Sequence, residues 1–155
     1  MISIGDKAPE FNHTLDGGAQ FAFSDLAGKN LVLYFYPKDD TPGYTKEAIS
    51  FSEYQEYFDA QNTVIMGVSR DTVKKNDKFI NKYNLHIRLI SDENGSLCDA
   101  FGTWVEKQMY GKTYMGIERA TFLLNPKGEI SHIWRKIKVP GHVEDVLATV
   151  TALNL

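Results

Sequence analysis

The residue type best suited to nucleophilic redox chemistry occurs once in this 155-residue chain, at Cys98. A single thiol cannot form an internal disulfide. Because the chain has only one cysteine, a CxxC redox pair and a structural zinc site built from several cysteines are both excluded. Cys98 falls in a short predicted helix, Gly95–Phe101, where a free cysteine is commonly a small buried residue. We therefore expect a packing role for Cys98, with a role as a reactive thiol as the alternative.

A second candidate for chemistry is the loop Pro37-Lys38-Asp39-Asp40-Thr41-Pro42-Gly43, which follows the apolar run Asn30–Tyr36. Such a run is typical of a strand covered on both faces, and ligands of open α/β sheets bind at the carboxyl ends of the strands. A helix is predicted from about Gly43 to Ala60, with Thr41 as its N-cap and Pro42 at its first position. These patterns together select Pro37–Thr45 as the predicted site.

The elements around this loop alternate between strands and helices after an opening hairpin. The hairpin arms, Phe11–Leu15 and Ala19–Phe23, flank Asp16-Gly17-Gly18, a strong turn signal. Apolar patterns predict further strands and helices at Asn62–Ser69, Thr72–Tyr83, His86–Ile90, Ala120–Leu124, Glu129–Trp134 and His142–Leu153. This order predicts one α/β domain, residues 1–155, with a central mixed sheet flanked by helices on both faces.

Composition limits the classes of function. The net charge of -3, with both signs interspersed, argues against nucleic acid or an anionic membrane as the main partner. No apolar stretch approaches the roughly 20 residues that span a bilayer, and the first residues lack a signal-peptide pattern, so a cytoplasmic location is expected. The four histidines show no ligand spacing. We expect neither metal nor cofactor, although Asp39, Asp40 and Asp92 leave a receiver-like or phosphatase-like metal site as a minor alternative.

The loop resembles the active-site loop of peroxiredoxins, which has the form Pro-x-x-x-Thr-x-x-Cys after a core strand. Here Pro37 and Thr41 match, and Tyr44 stands at the cysteine position. The stretch YFYPKDDTPGYTKEA is similar to YFYPKDDTPGCTKEA of the bacterioferritin-comigratory (peroxiredoxin Q) subgroup of the AhpC/TSA superfamily. The segments KQMYGKTYMG, IERATF and KIKVPGH also fit that subgroup, so the resemblance runs from about Ile4 to Leu153.

The resemblance implies a thioredoxin-like fold with an N-terminal β-hairpin, and a thiol peroxidase. Such an enzyme reduces hydrogen peroxide and organic hydroperoxides with electrons from thioredoxin, needs no cofactor, and is a monomer or weak homodimer. By the same resemblance Arg119 adds positive charge at the reactive position, Thr41 orients the peroxide, and Pro37 shields the site from water. A surface strand position is the alternative for Arg119.

Tyr44 is incompatible with this mechanism. A phenol has a pKa of about 10 and cannot form the sulfenic acid that follows peroxide attack on a thiolate. The resolving cysteines that some members carry are also absent, because Ile49 stands at one such place and Phe79–Ile80 at the other. We expect this chain to be inactive or impaired, either as a natural redox-dead member or as a variant altered at position 44. The competing hypothesis is a non-catalytic binding or interaction protein on the peroxiredoxin scaffold.

Overall fold

The computed structural model describes residues 2–26, 28–138 and 140–153. The described strands are β1 Asn12–Leu15, β2 Gln20–Ala22, β3 Asn30–Phe35, β4 Thr63–Ser69, β5 Arg88–Ser91, β6 Trp104–Met109, β7 Lys112–Ile117, β8 Ala120–Leu124 and β9 Ile130–Arg135. The described α-helices are α1 Pro42–Glu53, α2 Gln55–Ala60, α3 Val73–Tyr83, α4 Ser96–Ala100 and α5 His142–Leu153. None of these helices is long and apolar enough to cross a membrane.

Seven of the strands form one mixed sheet in the order β2-β1-β5-β4-β3-β8-β9. Strands β3, β4 and β5 are parallel, and β8 and β9 extend the sheet in antiparallel fashion. Strands β1 and β2 form the predicted opening hairpin, whose turn uses positive φ at Gly17 and Gly18. The predicted thioredoxin-like α/β fold with helices flanking a central mixed sheet is therefore confirmed.

The side chains of β3 alternate between two buried layers, one on each face of the sheet. Leu33 and Phe35 pack in the layer that also holds Cys98 of α4. Tyr34, together with Tyr36 just after the strand, packs in the opposite layer, with residues of α1, α2, α3 and α5. Period-two alternation in a strand that is buried on both faces explains why its sequence reads as a continuous apolar run.

Two features differ from the predicted elements. The single helix Gly43–Ala60 is two helices, because the backbone of Tyr54 leaves helical geometry at φ -93° and ψ 3°. The second difference is an additional hairpin, β6–β7, which forms a two-stranded sheet of its own. Its turn places Tyr110 and Gly111 at positive φ, and Tyr110 is 98% exposed.

The register of the central strands positions the site. Phe35, at the end of β3, pairs with Ala120, the first residue of β8. Arg119 therefore lies beside the carboxyl end of β3, next to the loop that leads into α1. Two residues 75 positions apart, Tyr44 and Arg119, meet because of this antiparallel pairing.

Candidate active site

Hydrogen bonds that involve Tyr36, Lys38 and Asp71 hold the loop between β3 and α1. The Tyr36 hydroxyl donates to Asp39 Oδ1 at 2.5 Å, and the Asp39 backbone N–H donates to Asp71 Oδ2 at 2.8 Å. Thr41 Oγ1 donates to the Lys38 carbonyl at 3.3 Å. These contacts fix the loop in place before α1 begins.

Helix α1 begins as predicted, with Thr41 at the N-cap and Pro42 at the first helical position. The Thr41 carbonyl accepts from the Thr45 N–H at 2.8 Å, but the Thr41 side chain makes no capping hydrogen bond. Because the first N–H groups of a helix lack intrahelical partners, they favour negative charge at this end. The structure thus places Thr41 and Tyr44 at the positively polarised start of a 12-residue helix.

Tyr44 is half-buried in the first turn of α1 and stacks against Arg119. The guanidinium carbon of Arg119 lies 4.8 Å from the centre of the Tyr44 ring. Burial raises the pKa of the Tyr44 hydroxyl, and Arg119 opposes this rise only in part. The phenol is therefore neutral at physiological pH, and the cation–π contact contributes about 0.5–2 kcal/mol.

Glu47 completes this cluster and was missed by sequence reasoning. Its Oε1 lies 3.3 Å from Nη2 of Arg119, and the glutamate is only 1% exposed whereas the arginine side chain is 18% exposed. Burial raises the pKa of Glu47 to about 7, although Arg119 pulls it down. The spacing in the sequence could have indicated Glu47, because it follows Tyr44 by three residues and therefore lies on the same side of the helix as Tyr44.

Pro37 lines a groove of about 500 Å³. Pro37 and Lys38 line this groove together with Trp104 and Tyr114 of the β6–β7 hairpin. The structure thus joins Tyr44, Arg119 and Glu47 through direct contacts. Thr41 precedes them at the N-cap, and Pro37 lines the groove.

Cys98 lies in the buried layer on the other face of the sheet, with 0% exposure. Burial, together with the nearby Asp92 carboxylate, raises the pKa of this thiol well above its usual range. A buried neutral thiol is unreactive, because the thiolate is the nucleophile. The geometry agrees with the predicted packing role.

The carboxylates of the minor metal-site alternative do not share a ligand position. Asp92 accepts from the Leu97 and Cys98 N–H groups and contacts His13 at 3.0 Å. Asp40 instead bonds Lys82 and Tyr83 of α3. Within residues 2–26, 28–138 and 140–153, no group of three or more His, Cys, Asp or Glu side chains is arranged to hold a metal ion.

Comparison with known proteins assigns the chain to a family. Residues 4–133 match the AhpC/TSA family. The chain belongs to that family. It is 46% identical to peroxiredoxin Bcp of Bacillus subtilis over 153 residues, which cover 99% of this chain and 98% of the relative.

Solved structures agree with this assignment. Peroxiredoxin Q of Xanthomonas campestris superposes with a TM-score of 0.90 at 46% identity, covering 94% of this chain and 92% of that one. A cysteine-to-serine variant of Xylella fastidiosa PrxQ superposes with a TM-score of 0.95 at 40% identity, covering 100% and 99%. The chain therefore has the architecture of peroxiredoxins of the Bcp/PrxQ group, which are thiol peroxidases.

Proposed function

We propose that this chain carries the peroxide site of a thiol peroxidase without its nucleophile, because Tyr44 occupies the position of the peroxidatic cysteine. The site would accept hydrogen peroxide and organic hydroperoxides, and its intact counterpart would draw electrons from a thioredoxin-like reductant. The chain itself would neither reduce peroxide nor need that reductant. Thr41, Arg119 and Pro37 are the other proposed site residues.

The chemistry explains why the missing sulfur is decisive. In a thiol peroxidase the thiolate forms a bond to one peroxide oxygen, the O–O bond breaks, and the departing oxygen takes a proton to leave as water or an alcohol. The sulfur is oxidised to a sulfenic acid, which a second thiol reduces. The neutral phenol of Tyr44 cannot undergo this two-electron oxidation.

The observation that carries the proposal is the location of the two candidate groups. The half-buried residue at the start of α1, facing Arg119, is Tyr44, and the chain's single thiol, Cys98, is fully buried across the sheet. No thiol therefore lies at the positive end of α1.

A non-catalytic role on this scaffold is the second candidate, favoured by the way the cluster is packed. The Tyr44 ring covers the Arg119 guanidinium, which also contacts the buried Glu47. The arginine that would stabilise a reacting thiolate is thus engaged in contacts within the chain.

A peroxide-consumption assay with thioredoxin, its reductase and NADPH tests the proposal. We expect no turnover above the rate without the chain, for hydrogen peroxide and for an organic hydroperoxide alike. Robust turnover that Cys98→Ser abolishes would show that the nucleophile is Cys98 and would overturn the proposal.

A further inference from the structure

The β6–β7 hairpin forms a two-stranded sheet separate from the main sheet, so each of its strands has an edge without a neighbouring strand. A two-stranded sheet is marginally stable in water on its own, and a third strand adds backbone hydrogen bonds and buried surface. The six residues of β6 pair with the six residues of β7 without a bulge, and neither strand contains proline. The hairpin therefore lacks two of the features that commonly block the edges of sheets.

The register of the hairpin determines which backbone groups of β7 point away from β6. The Glu118 N–H donates to the Thr103 carbonyl at 2.7 Å, in a pair that continues the ladder. Because hydrogen-bonded and non-hydrogen-bonded pairs alternate along an antiparallel ladder, the N–H and C=O groups of Thr113 and Met115 point outward. Neither residue forms a backbone–backbone hydrogen bond outside the hairpin among the described residues. Such unpaired groups at alternate positions are those that a further β-strand binds.

The outer edge of β7 borders the groove that Pro37 and Lys38 line. Four consecutive residues of β7, Tyr114–Ile117, also line this groove. Because successive side chains of a strand point to opposite faces, a groove that contacts four residues in a row lies along the edge of the strand. Its volume of about 500 Å³ is within the usual range of ligand-binding clefts. Thr113 is exposed and Met115 is 50% exposed, so a ligand can reach this edge.

The two faces of the hairpin differ in chemistry beside this edge. Met115 shares its face with Trp104, and Glu106 on the same face belongs to the strand farther from the edge. The opposite face carries Lys107, whose Cδ would lie 3.2 Å from a Cβ on Gly116, so this side chain extends from β6 across β7. A strand added at the edge of β7 would therefore meet apolar side chains on one face and a cation on the other.

We propose that the outer edge of β7 binds an extended peptide segment of a partner protein as an antiparallel third strand. The segment would alternate apolar and acidic side chains, with the apolar ones beside Met115 and Trp104 and the acidic ones beside Lys107. Because directly opposite residues in an antiparallel pair lie on the same face, an apolar residue of the segment would exchange backbone hydrogen bonds with Met115. The proposal does not depend on the residue at position 44, so the peroxide assay tests only the proposed function.

The probe is a synthetic five-residue peptide in which three valines alternate with two glutamates and both ends are blocked. It is titrated into the full chain at constant ionic strength, and the amide chemical shifts are followed by NMR. We expect saturable shifts at Thr113 and Met115, and none at Glu106 and Gln108 on the outer edge of β6. The absence of saturable shifts at Thr113 and Met115 would overturn the proposal.

N-methylated peptides test whether backbone hydrogen bonds hold the probe. Methylation of the central valine nitrogen removes an N–H that would donate to β7, so we expect the affinity to fall by about tenfold or more. Methylation of a glutamate nitrogen is the matched control, because that N–H would point away from β7, and this peptide should bind like the unmethylated one. Equal affinities of the two methylated peptides, or shifts that follow ionic strength alone, would mean charge attraction without strand pairing and would overturn the proposal.

Met115→Pro removes the outward N–H from the protein. Proline is tolerated on an edge strand where the missing N–H would face solvent, and this N–H is not part of the β6–β7 ladder, so the hairpin should still form. We expect Met115→Pro to lose affinity for the unmethylated peptide by about tenfold or more, whereas Met115→Leu, which keeps the N–H, should bind as the parent does. Equal binding by both variants would contradict the pairing at Met115.

Hydrogen exchange of the chain without peptide tests the edge itself. The Met115 amide should exchange fast, whereas the Gly116 amide, which is bonded to β6, should exchange slowly. Protection of the Met115 amide that increases with protein concentration would mean that a second copy of the chain covers this edge, and it would overturn the proposal.

Discussion

Glu47 should make the stability of this protein decline as pH rises, and Glu47→Gln should remove the part of the decline that is due to Glu47. The carboxyl is 1% exposed, and its pKa is raised from an ordinary value of 4.5 to about 7. Between these two values the folded state binds more protons than the unfolded state. Protonated Glu47 therefore favours the folded state at low pH, and this contribution is lost as pH rises through 7.

The size of the effect follows from the two pKa values. Proton linkage with 4.5 and about 7 gives a contribution of about 2–3 kcal/mol at pH 5, which falls to nearly zero at pH 8. The pKa of Asp39 is also raised to about 7, and that of His142 is lowered to about 4. The pH dependence of the parent's stability therefore contains contributions from several groups. The difference between parent and Glu47→Gln isolates Glu47, because the other groups are common to both.

Urea unfolding at pH 5, 6, 7 and 8, followed by the fluorescence of Trp104 and Trp134, measures this difference. We expect the free energy of unfolding of Glu47→Gln, relative to the parent, to rise by about 2–3 kcal/mol from pH 5 to pH 8. Glu56→Gln, at an exposed position of α2, should run parallel to the parent. If Glu47→Gln also runs parallel, Glu47 is ionised across the range and the description of the cluster is wrong.

Two further predictions concern the core. Cys98 should react with Ellman's reagent only after unfolding, because it is fully buried in the folded chain; stoichiometric reaction of the native protein would contradict its placement. Gly67→Ala should cost about 1–3 kcal/mol in urea unfolding, since the new Cβ would lie 2.7 Å from Cζ of Tyr34 and 2.9 Å from Cδ2 of Leu89. The matched change Gly43→Ala meets open space within α1 and should stabilise by up to about 1 kcal/mol; equal effects at both glycines would refute the close packing at Gly67.

Most of the fold could be predicted from local patterns. The apolar runs in β3 and β4 and the apolar stripe of α5 are strong signals, and α5 has the predicted bounds, His142–Leu153. The β6–β7 hairpin was missed because its strands are largely exposed, and because Tyr110-Gly111 is not a common turn pair. Its backbone geometry depends on a residue that rarely adopts positive φ.

The candidate site was predictable only in part. The loop from Pro37 to Tyr44 stood out by its position after a buried strand, whereas Arg119 could be joined to it only through the family resemblance. The physical cause of their meeting is the pairing of β8 with β3, which no local pattern encodes. Glu47 was missed because Lys46-Glu47 reads as an ordinary solvated charge pair, and its burial depends on the packing of α1 against the sheet.

The most direct test of the account is to place a thiol at position 44. The new thiol of Tyr44→Cys should titrate below the ordinary cysteine pKa of about 8.5, because the start of α1 and Arg119 both favour the thiolate. The variant should then consume one equivalent of hydrogen peroxide and form a sulfenic acid that a dimedone probe traps, whereas Tyr44→Ser should do neither. If the thiol introduced by Tyr44→Cys titrates like free cysteine and ignores peroxide, that result would contradict the claim that only the nucleophile is missing.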